Sequence, residues 1–164
     1  MQVDEFNAMP RSEVISLLLP CVDIERWAAE VADRRPYTGP DDVSRAGRTA
    51  AQPWTDAELD KALTHHPPIG RRADGDSAEA ALSRAEQGSL GDTDADLAAR
   101  LDAGNAAYED KFGHVFLIRA AGRTRAEILA NLSERMTNDP ATEREVMAEQ
   151  LRQIAVLRLG GLFQ

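Results

Sequence analysis

The chain is organised around one stretch of sequence, Thr64-His65-His66-Pro67-Pro68-Ile69-Gly70. A residue before proline is disfavoured in the α region, so the helix through Leu59 and Leu63 is predicted to stop at about His65. This break is expected to present the His66 ring rather than bury it. The negative end of the helix dipole favours an imidazolium there, and histidine is the usual carrier of one proton near neutral pH. An isolated His-Pro is also an ordinary helix stop, so a role for His66 depends on other residues.

Helix signals continue on both sides of this stretch, and the alternation typical of strands is nearly absent. Capping boxes are recognisable at Thr55 and Thr124, and Ser77 is placed to cap a helix between them. Pro140 suits the first turn of the last helix, which ends at Gly160-Gly161. The sequence therefore predicts an all-α protein, with residues 1–164 as a single-domain bundle of about seven to nine helices.

Two segments depart from the helical pattern. His114-Val115-Phe116-Leu117-Ile118 is short, apolar and β-branched, and no other segment offers a strand to pair with it. We therefore expect a buried extended connector, whose backbone groups need hydrogen-bond partners that a ligand could partly supply. Gly70 to Asp76 holds two glycines, two arginines and two aspartates and is predicted to be a surface loop.

Composition argues against several classes of protein. Apolar residues are 43% and charged residues 29%, and no apolar run approaches the roughly 18 residues of a membrane span. The formal net charge of −9 argues against general nucleic-acid binding, which needs clustered cations. The N-terminus lacks the layout of a signal peptide, so we expect a cytoplasmic protein. Cys21 is the only cysteine and lies in an apolar run, which predicts a buried thiol and excludes a multi-cysteine metal site.

Several motifs, spread over nearly the whole chain, are specific when their order and spacing are taken together. They are Phe6-Asn7-Ala8-Met9-Pro10, Trp27 to Arg35-Pro36-Tyr37, His66-Pro67-Pro68-Ile69-Gly70, Ser83-Arg84-Ala85-Glu86-Gln87, Asn105-Ala106-Ala107-Tyr108, Phe112-Gly113-His114-Val115-Phe116, Leu132-Ser133-Glu134-Arg135-Met136 and Ile154-Ala155-Val156-Leu157-Arg158-Leu159. In these motifs the chain resembles the 2-oxo-4-hydroxy-4-carboxy-5-ureidoimidazoline (OHCU) decarboxylases of urate breakdown. The resemblance implies a homodimeric, cofactor-free lyase that removes carbon dioxide from an anionic ureide and gives (S)-allantoin.

The resemblance also implies the roles of particular residues. His66 matches the catalytic histidine, a general acid/base. Glu86 matches the family's active-site glutamate, a catalytic residue that orients and charge-stabilises His66 or accepts a hydrogen bond from the ureido nitrogen. Arg158 suits the substrate carboxylate, because a planar guanidinium binds it bidentately. Substrate contacts are implied at Pro67, Ser83, Gln87, Phe116, Leu117, Ile118, Arg119 and Ala120. The substrate's own ring carbonyl can accept the electron pair of the departing carboxylate, so the reaction needs no cofactor. No metal is expected, because the separations of the three histidines are not those of metal ligands.

Arg119 is a departure from the family pattern, which has a small residue such as cysteine at that position. If the Arg119 side chain turns inward, it adds a cation to the site. Without the resemblance, Glu86 reads as a surface carboxylate and Arg158 as an arginine that extends its charged end to solvent. Two other functions stay open: a lyase or hydrolase acting on another hydantoin-like ureide, and a non-catalytic helical binding module.

Overall fold

The computed structural model describes residues 1–69, 77–88 and 94–164. Within these ranges the chain forms nine α-helices and no strand, which confirms the all-α prediction. The helices are α1 (Val3–Ala8), α2 (Arg11–Leu18), α3 (Glu25–Asp33), α4 (Pro40–Thr49), α5 (Asp56–Leu63), α6 (Ala78–Gly88), α7 (Ala95–Phe112), α8 (Arg125–Arg135) and α9 (Pro140–Gly161). None of these helices is long and apolar enough to span a membrane. The loop predicted over residues 70–76 lies outside the described residues.

Signals at the helix ends account for most of these bounds. The Thr55 hydroxyl accepts a hydrogen bond from the Glu58 amide at 3.1 Å, and the Glu58 carboxylate accepts one from the Thr55 amide at 2.9 Å. Thr124 forms the same capping box at the start of α8, and the Ser77 hydroxyl caps α6. Helix α9 begins at Pro140, as predicted. Each of these predicted helix starts is therefore confirmed.

The chain divides into two compact units. The first comprises Met1–Ala62 and Arg152–Gln164, so it holds α1 to α4, α5 up to Ala62 and the end of α9. Its fully buried residues include Phe6, Val14, Leu18, Trp27, Val31, Val43, Ala155 and Leu159. Cys21 is buried here as predicted, with 2% exposure. Gly47 permits the close approach of α4 to α9, since a Cβ atom at this position would lie 2.7 Å from the Leu159 side chain.

The carboxyl end of α4 in this unit is held by an arginine from α9. Arg152 donates hydrogen bonds to the carbonyls of Gly47 at 3.2 Å and Ala50 at 2.9 Å. Its guanidinium also lies 4.0 Å from the centre of the Trp54 ring. A cation at this position satisfies carbonyls that lack an intrahelical partner and opposes the negative end of the helix dipole.

The second unit comprises Leu63–Leu151, described here without residues 70–76 and 89–93. Its core cluster consists of Ile69, Leu101, Tyr108, Phe116, Ile118, Ala120, Ile128 and Leu132. Residues 115–120 are neither helix nor strand. Four of them are less than 6% exposed: Phe116, Leu117, Ile118 and Ala120. The prediction of a buried extended connector is confirmed.

Candidate active site

The break after α5 comes two residues before the predicted stop at about His65. The helix ends at Leu63, and the His66 amide donates to the Leu63 carbonyl at 3.1 Å. The side chain of His66 is only 6% exposed, whereas that of His65 is 43% exposed. The expectation that the break presents the His66 ring is therefore wrong. The turn packs His66 against the first turn of α6 and leaves His65 as the ring that reaches solvent.

A carboxylate that the sequence did not single out lies beside both histidines. Glu79 belongs to the first turn of α6 and is 8% exposed. Its Oε1 atom lies 3.8 Å from His66 Nε2, and its Oε2 atom lies 3.8 Å from His65 Nδ1. These distances are too long for direct hydrogen bonds, but they give a strong attraction when either ring is protonated. The positive end of the α6 dipole also favours a carboxylate at this position.

These three side chains border a cavity in the second unit. The cavity has a volume of about 270 Å³ and is also lined by Thr64, Pro67, Ser77 and Ala80. Its volume suits a ligand the size of one small ring with short substituents. His66 and Pro67 of the predicted site therefore lie at a ligand-sized cavity, and the titratable groups among its described lining residues are two imidazoles and one carboxylate.

The other predicted residues of α6 follow Glu79 along one helix face. Ser83 follows Glu79 by one helical turn, and Glu86 and Gln87 follow Ser83 by another, so the four side chains lie on the same face of the helix. Ser83 is 4% exposed, and Glu86 and Gln87 are half-buried. Glu86 is thus not the fully exposed carboxylate that its sequence context alone suggests. Burial along this face places all four polar side chains on the packed side of α6.

Side chains satisfy two backbone groups of the connector. Arg135 Nη1 donates to the Leu117 carbonyl at 2.7 Å, and the Arg119 amide donates to the Gln150 side-chain oxygen at 3.0 Å. The Arg119 side chain is half-buried, and its Nε atom is buried without a hydrogen-bond partner in the described part of the chain. It thus turns partly inward and brings a cation into the second unit. Neither Arg135 nor Gln150 was predicted, because only packing reveals which side chains reach the connector.

A buried polar network surrounds Arg135. Its Nε atom donates to Glu143 Oε1 at 2.8 Å, and its guanidinium lies 4.5 Å from the centre of the Phe116 ring. The Tyr108 hydroxyl also donates to Glu143, and Asn138 donates to the other carboxylate oxygen at 3.0 Å. Burial raises the pKa of the Tyr108 hydroxyl, and its hydrogen bond to Glu143 raises it further. Hydrogen bonds of this network therefore link the extended connector to α7, α8 and α9.

Arg158 belongs to the first unit, near the end of α9. It is 4% exposed, and its Nη1 atom donates to the Pro20 carbonyl at 3.2 Å. Leu157 beside it is 44% exposed, so the arginine lies on the buried side of this helix and does not extend its charge to solvent. Among residues 1–69, 77–88 and 94–164, no three His, Cys, Asp or Glu side chains are grouped as metal ligands would be.

A buried histidine paired with a carboxylate at a small cavity defines a class of site, one suited to proton transfer on a small molecule. The helical fold around it matches one family throughout. A family model described as OHCU decarboxylase matches residues 7–160 of this chain. The chain therefore belongs to the OHCU decarboxylase family.

Individual relatives agree with this assignment. A protein from Amia calva named 2-oxo-4-hydroxy-4-carboxy-5-ureidoimidazoline decarboxylase is 34% identical over 139 residues, which cover 84% of this chain and 79% of that protein. The uric acid degradation bifunctional protein of Bacillus sp. (strain TB-90) is 27% identical, and the match covers 100% of this chain but 32% of its own length. A crystal structure of OHCU decarboxylase in the presence of (S)-allantoin superposes with a TM-score of 0.71 at 29% identity, covering 87% of this chain and 94% of that one.

Proposed function

We propose that this chain is a carboxy-lyase of urate degradation that converts OHCU to (S)-allantoin without a cofactor. The observation that carries the proposal is the position of His66. It lies at a cavity within the motif that the family shares, and a carboxylate lies 3.8 Å from its Nε2 atom. Membership of the family supports the substrate class, and the cavity supports a small-molecule ligand.

The reaction needs few groups from the protein. The bond between the ring carbon and the carboxylate breaks, carbon dioxide leaves, and the electron pair stays on the ring carbon, delocalised into the neighbouring carbonyl. His66 acts as general acid/base and delivers one proton to that carbon from one face, which fixes the configuration of the product. Positioning and charge stabilisation supply the rest of the rate enhancement.

The remaining predicted residues have binding roles in this proposal. Arg158 holds the substrate carboxylate through its planar fork. Glu86 accepts a hydrogen bond from the ureido nitrogen, a role supported by the presence of another carboxylate, Glu79, against His66. Ser83 and Gln87 bind the ring substituents from the same face of α6, Pro67 forms a wall of the cavity, and backbone groups of residues 116–120 contact the ring.

The test is an assay with substrate formed in place. Urate is oxidised, its first hydrolysis product is generated in the cuvette, and circular dichroism follows the appearance of one allantoin enantiomer with and without the protein. We expect acceleration and a single enantiomer with the native chain. We expect His66→Ala to lose roughly 100-fold or more in rate while its far-ultraviolet spectrum stays native, because it lacks the proton carrier.

His114→Ala is the matched control, since this histidine packs against the Tyr108 ring and has no proposed catalytic role. It should keep most of the native rate. Racemic allantoin at the uncatalysed rate from the native chain would remove the proposed function, and would favour a hydantoin-like substrate or a binding module. Native turnover in His66→Ala would remove His66 from the mechanism.

We also propose that residues 1–164 act as one domain, in a cytoplasmic homodimer. One family model extends over residues 7–160 and so includes parts of both compact units, which supports the single domain. Both the homodimer and the cytoplasmic location are inferred from the family resemblance. Light scattering after gel filtration tests the dimer, and a mass near the 17.9 kDa of one chain would contradict it.

A further inference from the structure

We propose that Glu79 is the positioning residue of the active site, which holds the His66 ring in one orientation and stabilises its protonated form. This inference rests on the proposed role of His66. It assigns a function to a residue that neither the sequence motifs nor the family resemblance singled out. Glu79 acts through the imidazole and does not itself touch the reacting atoms.

The first argument is geometric. Each carboxylate oxygen of Glu79 faces a different ring. Oε1 lies 3.8 Å from His66 Nε2, and Oε2 lies 3.8 Å from His65 Nδ1. The backbone beneath Glu79 is fixed, because the Ser77 hydroxyl accepts a hydrogen bond from the Ala80 amide at 3.0 Å. A carboxylate anchored in the first turn of α6 therefore specifies which edge of the His66 ring points towards that helix.

The second argument concerns charge. The Glu79 side chain is 10% exposed and that of His66 is 6% exposed, so little water screens their attraction. The His65 side chain is 43% exposed, so solvent weakens its electrostatic attraction to the Glu79 carboxylate. Within residues 1–69, 77–88 and 94–164, the titratable groups that line the cavity are Glu79, His65 and His66. Without the carboxylate, two imidazoles would border one cavity with no counter-charge among its described lining residues, and the buried ring would lose its proton first.

The consequence for turnover follows from the role of a general acid. A less protonated His66 delivers its proton in a smaller fraction of bound complexes, so kcat should fall while KM changes little. The loss should be largest at alkaline pH, where the native His66 still keeps part of its proton. A role for Glu79 in folding alone would not produce this dependence on pH.

The experiment compares Glu79→Gln with the native chain. The chain has three histidines, so their ring signals can be followed by NMR and the His66 signal assigned with His66→Ala. In Glu79→Gln we expect the His66 ring pKa to fall by about one unit, which is the size expected when a neighbouring opposite charge is lost. We expect kcat near pH 8 to fall by up to about tenfold, the largest loss of protonated imidazole that a one-unit shift can cause, with KM within about twofold of the native value.

Glu134→Gln is the matched control, because it makes the same substitution at an exposed carboxylate on α8 of the same unit. It should leave both readouts native. If Glu79→Gln does not fold, Glu79→Asp takes its place: it keeps the charge but withdraws it, so a smaller shift of the same sign is expected. An unchanged His66 titration in a folded variant would overturn the proposal.

The two readouts separate this inference from the proposed function. If the native chain does not produce allantoin, the proposed function fails, yet the NMR titration still decides whether Glu79 controls His66. If the native chain is active and the folded Glu79→Gln variant has native kcat at every pH, Glu79 has no positioning role and the proposed function stands.

Discussion

Glu143 is the buried carboxylate on which the conformation of the connector depends. It has 0% exposure and accepts hydrogen bonds from Tyr108, Arg135 and Asn138. Arg135 in turn donates to the Leu117 carbonyl. Two buried ions are costly to desolvate, so such a pair adds less to stability than its contacts suggest. Removing only one ion is strongly destabilising, because the other is left buried without its counter-charge.

We predict that Glu143→Gln lowers the free energy of unfolding by about 3–5 kcal/mol, the usual cost of breaking a buried ion pair at one partner. Urea denaturation followed by circular dichroism measures the change. Glu145→Gln makes the same substitution at an exposed position on the same helix and should stay within about 0.5 kcal/mol of the native chain. Equal stabilities of the two variants would show that the network contributes nothing.

At the scale of elements, α5 is the helix that determines where His66 begins its turn. Its start is specified by the reciprocal bonds between Thr55 and Glu58, and its end by the prolines after His66. Glu58 is tied further by Arg26, whose Nη2 atom lies 2.8 Å from Glu58 Oε1. The helix has only eight residues, so each hydrogen bond at its ends contributes a large share of its stability.

We predict that Thr55→Ala destabilises the protein by about 1 kcal/mol, because the Glu58 amide loses its acceptor at the helix start. Thermal or urea unfolding measures this loss. Thr55→Ser keeps the hydroxyl and should recover most of the stability. If the serine variant were as unstable as the alanine variant, the missing methyl group rather than the cap would be responsible.

At the scale of the whole molecule, stability should decline at both extremes of pH. Hydrogen bonds from Arg26 lower the pKa of Glu58, and those from Thr142 lower the pKa of Asp139. The unfolded chain therefore binds more protons in acid. The contribution of these carboxylates is fully present above their ordinary pKa values of 4.5 and 3.8 and is lost as pH falls through the lowered folded values.

The alkaline limit comes from buried phenols. Burial raises the pKa of Tyr37 from 10.0 to about 12, and its hydroxyl donates to the Val31 carbonyl. This contribution is present below the unfolded value of 10.0 and disappears as pH rises towards the folded value. Urea unfolding across the pH range should therefore show falling stability below about pH 5 and above about pH 10.

Tyr37→Phe provides the control for the alkaline limit. It removes one phenol, so stability should fall less steeply between about pH 10 and 12 than in the native chain, although the lost hydrogen bond lowers stability at neutral pH. Identical alkaline slopes in the two proteins would contradict the assignment of this loss to Tyr37.

The sequence by itself determined the helical class of the protein and most of its helix ends. The Thr55 and Thr124 capping boxes, the Ser77 cap, Pro140 and the prolines after His66 all act within a few residues, so their effect is readable without the fold. The extended connector was predictable for the same reason, since an apolar β-branched segment with no partner strand has few other options. The short helix α1 was not predicted, because its Phe6 depends on distant packing against Phe163.

Only the tertiary structure decided what surrounds the candidate site. Glu79 lies thirteen residues from His66, and no local rule places its carboxylate beside two imidazoles. Arg135 and Glu143 are likewise brought to the connector by the packing of α8 and α9. The His66 ring, which the helix break alone was expected to expose, is buried beside Glu79 in the first turn of α6. Local sequence sets the backbone where a helix ends, but the burial and charge of a side chain depend on residues that the fold brings from elsewhere.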